Sequence, residues 1–200
     1  MIRSLRLIAV LTLAALALAA CGNGKQHWNT NNITGVMPDL QFTLTDENGN
    51  TVHANDYRGK IKLMYFGYTH CPDICPLTLA TIGRALKRLG SKADAVRVLF
   101  VSVDPKRDSP DVLKNYTQAF GQRFIGLTGT QAQLKALTKR YRVSYSYQKP
   151  DKNGAYAVNH SAAIFVFGPK GKVRLLMNRT NGAAAMAQDL AQLEADTIQS

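Results

Sequence analysis

Acidic residues are scarce in this chain. Thirteen Asp and Glu face 25 Lys and Arg, a formal net charge of +12 over 200 residues. That balance favours attraction to acidic surfaces. It does not mark a nucleic-acid binder, because the basic residues are scattered, with no dense run and no basic helix stripe. A membrane-spanning stretch is lacking too. The apolar run at residues 7–20 has only 14 residues, too short to cross a bilayer comfortably. No internal repeat and no second domain is visible, which leaves one ordinary domain with a real core and a processed N-terminus. Hydrophobic residues make up 46% of the chain, so it is globular and not disordered. Cysteine is rare as well, with three in all: Cys21, Cys71 and Cys75.

The N-terminus reads as a targeting segment. Arg3 and Arg6 form a positive n-region ahead of the apolar run. The run ends in Leu18-Ala19-Ala20-Cys21, which resembles the bacterial lipobox. The resemblance implies cleavage before Cys21 and lipid on its thiol and new amino group; the alternative is an ordinary secretory signal with Cys21 as a bystander. Loss of Arg3 and Arg6 with the leader leaves the mature protein at about +10. Residues 1–20 are thus expected to be a lipoprotein signal peptide, 21–39 a flexible membrane tether rich in Asn and Thr, and 40–200 the folded domain. Export places that domain in an oxidising compartment. With Cys21 used for lipid, Cys71 and Cys75 can pair only with each other, a metal or a partner.

Along the domain, residues 41–45 alternate like a strand, 47–50 signal a turn, and 51–53 return as a second strand. An apolar run at 61–68 reads as a buried strand, followed at once by Cys71 and Cys75. Pro76 suits the first turn of a helix that runs to Leu89, with Ile82, Leu86 and Leu89 on one stripe and Gly90 as its stop. Residues 96–103 predict a buried parallel strand, Ser109-Pro110 a capped helix, 124–127 a short strand, and Thr130 the cap of a helix to Tyr141. A hairpin-like excursion at 143–158 turns around residues 150–154. A strand at 161–167, its antiparallel return at 173–177 and an amphipathic helix at 182–198 complete the chain. This order predicts an α/β, thioredoxin-like fold: a central mixed sheet flanked by helices, with an N-terminal β-hairpin and an insert before the last two strands. The C-x-x-x-C spacing departs from the thioredoxin C-x-x-C.

Two thiols at a strand–helix junction form a reactive pair. The helix dipole and the free N–H groups of the first turn favour thiolate, the form that binds soft metals and attacks disulfides. A structural disulfide or an inert pair is the bland alternative. Two sulfurs alone leave a copper or zinc ion undercoordinated, so a third ligand must come from elsewhere. Among the four histidines, His27 falls in the tether, His53 on the hairpin, and His70 would have to fold back to share a metal with Cys71. His160 stands before the strong strand, where a thioredoxin-like fold brings its loop near the cysteines. Spacing alone leaves His160 open between a ligand and a loop histidine satisfied by backbone groups.

The stretch Phe66-Gly67-Tyr68-Thr69-His70-Cys71-Pro72-Asp73-Ile74-Cys75-Pro76 resembles the Sco/SenC proteins, copper-binding assembly factors for the binuclear copper site of cytochrome c oxidase. The likeness continues through Asp104-Pro105-Lys106-Arg107-Asp108-Ser109-Pro110 and Val158-Asn159-His160-Ser161, and it covers about residues 40–198. It implies a thioredoxin-like fold with Cys71, Cys75 and His160 as ligands to copper, Cu(I) by softness and Cu(II) with an added ligand or water. It implies as partners the copper-site subunit of the oxidase and a copper donor protein, with the membrane reached through the N-terminal lipid on the periplasmic side. Asn159 replaces the acidic residue usual before the histidine. Asp73 and Asp104 lie in matched motifs, where they would orient ligands or touch a partner, or else only cap a loop and a helix.

Two functional classes compete. One is a copper metallochaperone. The other is a thiol–disulfide oxidoreductase that uses Cys71 and Cys75 as a redox dithiol on the oxidase's copper-site cysteines or on another exported protein. A peroxidase of the peroxiredoxin kind would place its cysteine differently. His160 separates the first two, because a reductase has no need of an imidazole there.

Overall fold

The computed structural model describes residues 27–198. The leader and Cys21 lie outside the described residues. Among the described residues, ten strands and four α-helices follow one another: β1 (Asn31–Asn32), β2 (Thr43–Asp46), β3 (Thr51–His53), β4 (Ile61–Gly67), α1 (Ile74–Leu89), β5 (Val96–Ser102), α2 (Pro110–Gln118), β6 (Phe124–Thr128), α3 (Gln131–Arg140), β7 (Tyr145–Tyr147), β8 (Val158–His160), β9 (Ile164–Phe167), β10 (Val173–Met177) and α4 (Gly182–Ile198).

Eight strands form one mixed sheet in the order β1-β10-β9-β4-β5-β6-β2-β3. β4, β5 and β6 run parallel, and β9 joins β4 antiparallel. Every residue of β4 and of β9 is buried. Strands covered on both faces need continuous apolar sequence, which is why residues 61–67 carry no alternation. Helix α1 packs on α4, and α2 packs on β6. The local signals act where the sequence puts them. Ser109 Oγ accepts from Val112 N, and Thr130 with Gln133 forms a capping box. In the β2–β3 turn, Asp46 Oδ1 accepts from the backbone N–H of Asn48 and Asn50.

Several boundaries differ from the sequence-based expectation, and three of the differences carry a physical reason. The folded unit does not begin at residue 40. Strand β1 pairs with the edge strand β10, and the buried Asp189 carboxylate of α4 accepts four hydrogen bonds, from Asn29 N, Asn29 Nδ2, Thr30 N and Thr30 Oγ1. A polar, aperiodic stretch carries no local sign that it is folded, because its partner is 159 residues away in sequence. Helix α1 starts at Ile74 instead of Pro76, because proline is tolerated anywhere in a first turn whose N–H groups have no intrahelical acceptor. The strand expected from residue 161 starts at Ile164. His160 itself closes β8, in a separate two-stranded sheet with β7.

Lys62 sits fully buried at the start of β4, and its Nζ donates to Gly168 O and Pro169 O. It ties the central strand to the β9–β10 turn at the end of the sheet away from the cysteines. The carboxyl ends of β4 and β5 point the other way, toward the two loops that build the site, the usual place for sites in open α/β sheets.

Candidate metal centre

Strand β4 ends at Gly67, and only glycine fits there. A Cβ would lie 2.6 Å from the Phe100 ring and 2.9 Å from Cys75 Sγ. The missing side chain lets the sulfur rest against the end of the strand. The chain then turns, with Cys71 N donating to Tyr68 O, and enters α1. Asp73 occupies the N-cap position but is exposed, and its carboxylate caps nothing. The Cys75 N–H, free because it lies in the first turn, donates to Cys71 Sγ at 3.4 Å. Both thiols are free.

The pair is asymmetric. Cys71 is half-buried and Cys75 fully buried. Burial pushes the Cys75 thiol up to about 12. This corrects the expectation that the helix terminus would favour thiolate at both positions: for Cys75, desolvation outweighs the dipole. The buried Tyr65 hydroxyl approaches the same sulfur at 3.7 Å.

The imidazole arrives from the β7–β8 hairpin, where Tyr145 pairs with His160 and Tyr147 with Val158. His160 Nδ1 lies 3.0 Å from Ser161 O. A carbonyl only accepts, so Nδ1 carries the proton and Nε2 keeps its lone pair. Nε2 is 3.2 Å from Cys75 Sγ. Burial holds the ring below the ordinary imidazole pKa, against the pull of the Ser161 carbonyl, so it is neutral at pH 7. Tyr65 and Tyr68 meet it edge-on and fix its plane.

One donor atom each from Cys71, Cys75 and His160 thus lie within 4.8 Å of one another. Ligand bonds of about 2.0–2.3 Å would place the donors of a three-coordinate ion roughly 3.5–4 Å apart. Two sulfurs and an imidazole suit a soft ion such as Cu(I). The other described histidines stay outside. His27 is exposed, His53 lies beside Thr43, and His70 is half exposed and lies beside Thr69 and Asp108.

Asp104 is fully buried and does more than cap a loop. It pairs with Arg107, and it accepts from the Tyr156 hydroxyl at 2.8 Å. Asp108, which sequence reasoning passed over, is also fully buried. It accepts from Thr69 N, Thr69 Oγ1 and Ser102 Oγ, and so fixes the turn before Cys71 to the end of β5. A buried carboxylate must be hydrogen-bonded, and the D-P-x-R-D-S-P stretch was the available signal. Asn159 is exposed and accepts from Gln148 Nε2. Successive strand residues face opposite ways, so Asn159 is directed away from the sulfurs that His160 faces.

A thioredoxin-like domain whose dithiol is completed by an imidazole from an inserted hairpin is a variant of that fold equipped to hold a metal ion. The model of the SCO1/SenC family matches residues 35–195, and the chain belongs to that family. It is 33% identical over 198 residues to the mitochondrial SCO2 homolog of Mus musculus, covering 94% of this chain and 78% of that one. Copper-bound ScoI from Bradyrhizobium japonicum aligns at 37% identity with a TM-score of 0.71, covering 78% of this chain and 98% of that one. Copper-bound yeast Sco1 aligns at 34% identity with a TM-score of 0.71, covering 82% and 90%. The chain spans between 44% and 78% of the length of the first curated relatives it matches.

Proposed function

We propose that this protein is a membrane-tethered copper carrier that receives copper from a donor protein and supports assembly of the binuclear copper site of cytochrome c oxidase. The observation that carries the reading is the convergence of Cys71, Cys75 and His160. The copper bound by its Bradyrhizobium and yeast neighbours supports the choice of metal. Copper is cargo here. The sulfurs hold it by softness, and the neutral His160 Nε2 closes the ion against the half-exposed Cys71 side. Lipid on Cys21 would hold the domain at the outer face of the inner membrane, where an oxidase partner sits. Asp73, exposed beside the dithiol, would contact that partner, and Asp104 would steady the loop behind the ligands.

The asymmetry of the thiols supports a second reading. A half-exposed Cys71 could attack a partner disulfide, with its proton lost to solvent. Cys75 would then displace the mixed disulfide, leaving the Cys71–Cys75 disulfide and a partner reduced by two electrons. Cu(I) titration of the reduced full-length protein decides between them. The carrier binds one equivalent, and His160→Ala weakens it about tenfold or more while the dithiol still oxidises. Unchanged affinity in that variant would remove His160 from the site and leave the reductase.

A further inference from the structure

The hairpin that carries His160 lies outside the eight-stranded sheet, and one cluster of side chains ties it down. Arg107, in the loop after β5, stacks its guanidinium 3.6 Å from the centre of the Tyr156 ring. Its Nη1 donates to Tyr156 O at 3.0 Å, and its Nε pairs with the buried Asp104 carboxylate. The Tyr156 hydroxyl donates to the other oxygen of the same carboxylate. One residue of the hairpin is thereby gripped at its ring, its hydroxyl and its backbone. Tyr147, across the hairpin, donates to Val103 O at 2.6 Å, and its ring meets Tyr156 edge-on. The guanidinium also lies 5.7 Å from the Tyr68 ring, which meets the His160 ring edge-on. Tyr68 is also where the cluster meets the dithiol, since its side chain hydrogen-bonds with Cys71 and its backbone with Cys75.

We propose that Arg107 is a positioning residue for His160. Held between the Asp104 carboxylate and the Tyr156 ring, it latches the β7–β8 hairpin so that the imidazole stays over the sulfurs, and it sets how readily the copper site opens to give up its ion. Guanidinium suits this post because it is planar and forked, so it can stack on a ring and pair with a carboxylate at once. The proposal rests on the three-ligand copper reading and goes beyond it by naming what holds the third ligand.

A double-mutant cycle in the full-length protein tests it. Arg107→Ala is expected to speed release of Cu(I) to a chromophoric chelator roughly tenfold and to weaken binding by a similar factor. Arg107→Lys keeps the charge but not the planar stack, and it is expected to behave like the alanine variant. The dithiol reduction potential should move far less than the release rate, because Tyr68 and the sulfurs are held by the β4–α1 turn and Arg107 meets that turn only at the Tyr68 ring, 5.7 Å away. In a His160→Ala background the Arg107 substitution should change nothing further, since a latch without its imidazole has no ligand to hold. An equal loss in that background overturns the proposal, as does unchanged release in the His160 background. Should Arg107→Ala fail to fold, Tyr156→Phe removes only the hydroxyl bond to Asp104. It is expected to speed release about threefold with His160 present and not at all without it, and equal release in both backgrounds overturns the latch. If His160→Ala alone leaves affinity unchanged, the copper reading itself is what fails.

Discussion

The turn that carries Cys71 and Cys75 grows out of β4, every residue of which is buried, while the hairpin that carries His160 pairs only with itself and exposes residues 148–155. The sulfurs are set by close packing: Gly67 against Cys75, Asp108 under Thr69, a first-turn N–H on Cys71. The imidazole is set by a few polar contacts and edge-on rings. Disturbing the first region should therefore cost both fold and copper. Disturbing the second should cost copper alone.

The strongest break in that contrast comes at the sulfurs. Cys75→Ser is expected to lower Cu(I) affinity by about a thousandfold or more, since a hard hydroxyl replaces a soft thiolate. Competition with a Cu(I) chelator reads it, and the β7–β8 hairpin should keep its hydrogen-exchange protection. Gly67→Ala comes next. Its methyl has no room between the Phe100 ring and Cys75 Sγ, so the variant should lose about 1–3 kcal/mol in denaturant unfolding and also bind copper less tightly. A substitution of equal bulk in the exposed hairpin tip, Gly154→Ala, serves as the counterpart: its space is open and its only penalty is the positive φ of 80°.

Acidity sharpens the same contrast. Cys75 is protonated in the metal-free protein at neutral pH, because burial lifts its thiol to about 12. Copper binding must expel that proton, so the apparent affinity should tighten about tenfold per pH unit between 7 and 9 on account of Cys75 alone. His160, whose ring is held below the usual imidazole range, is already neutral there and adds no slope; protons compete for it only in more acid solution. A pH series of chelator competitions measures the slope, and a flat profile would show Cys75 ionised beforehand. The smallest effect belongs to Asn159→Asp. The side chain at this position turns toward Gln148, so restoring the acidic residue should change copper affinity by less than about twofold.

Much of the fold could be read directly. Continuous apolar runs marked β4 and β5, capping residues marked α2 and α3, and the amphipathic pattern of residues 182–198 marked α4. What escaped was long-range and polar. Asn29 and Thr30 carry no periodic signal, and their acceptor Asp189 gives no sign of its role until α4 is folded beneath them. Asp108 appears in the motif as one charged residue among several. Only burial makes it the support of the Thr69 turn.

Two thiols four residues apart, at the end of a buried strand and the start of a helix, are already legible in the order of the residues. Hydrophobic patterning and helix-start signals are local properties. Folding alone brings an imidazole 85 residues further on to those sulfurs with Nε2 free, and buries one of the two thiols enough to hold its proton. Distance through space, burial and the direction of a lone pair all depend on which elements pack together, and no local pattern encodes them.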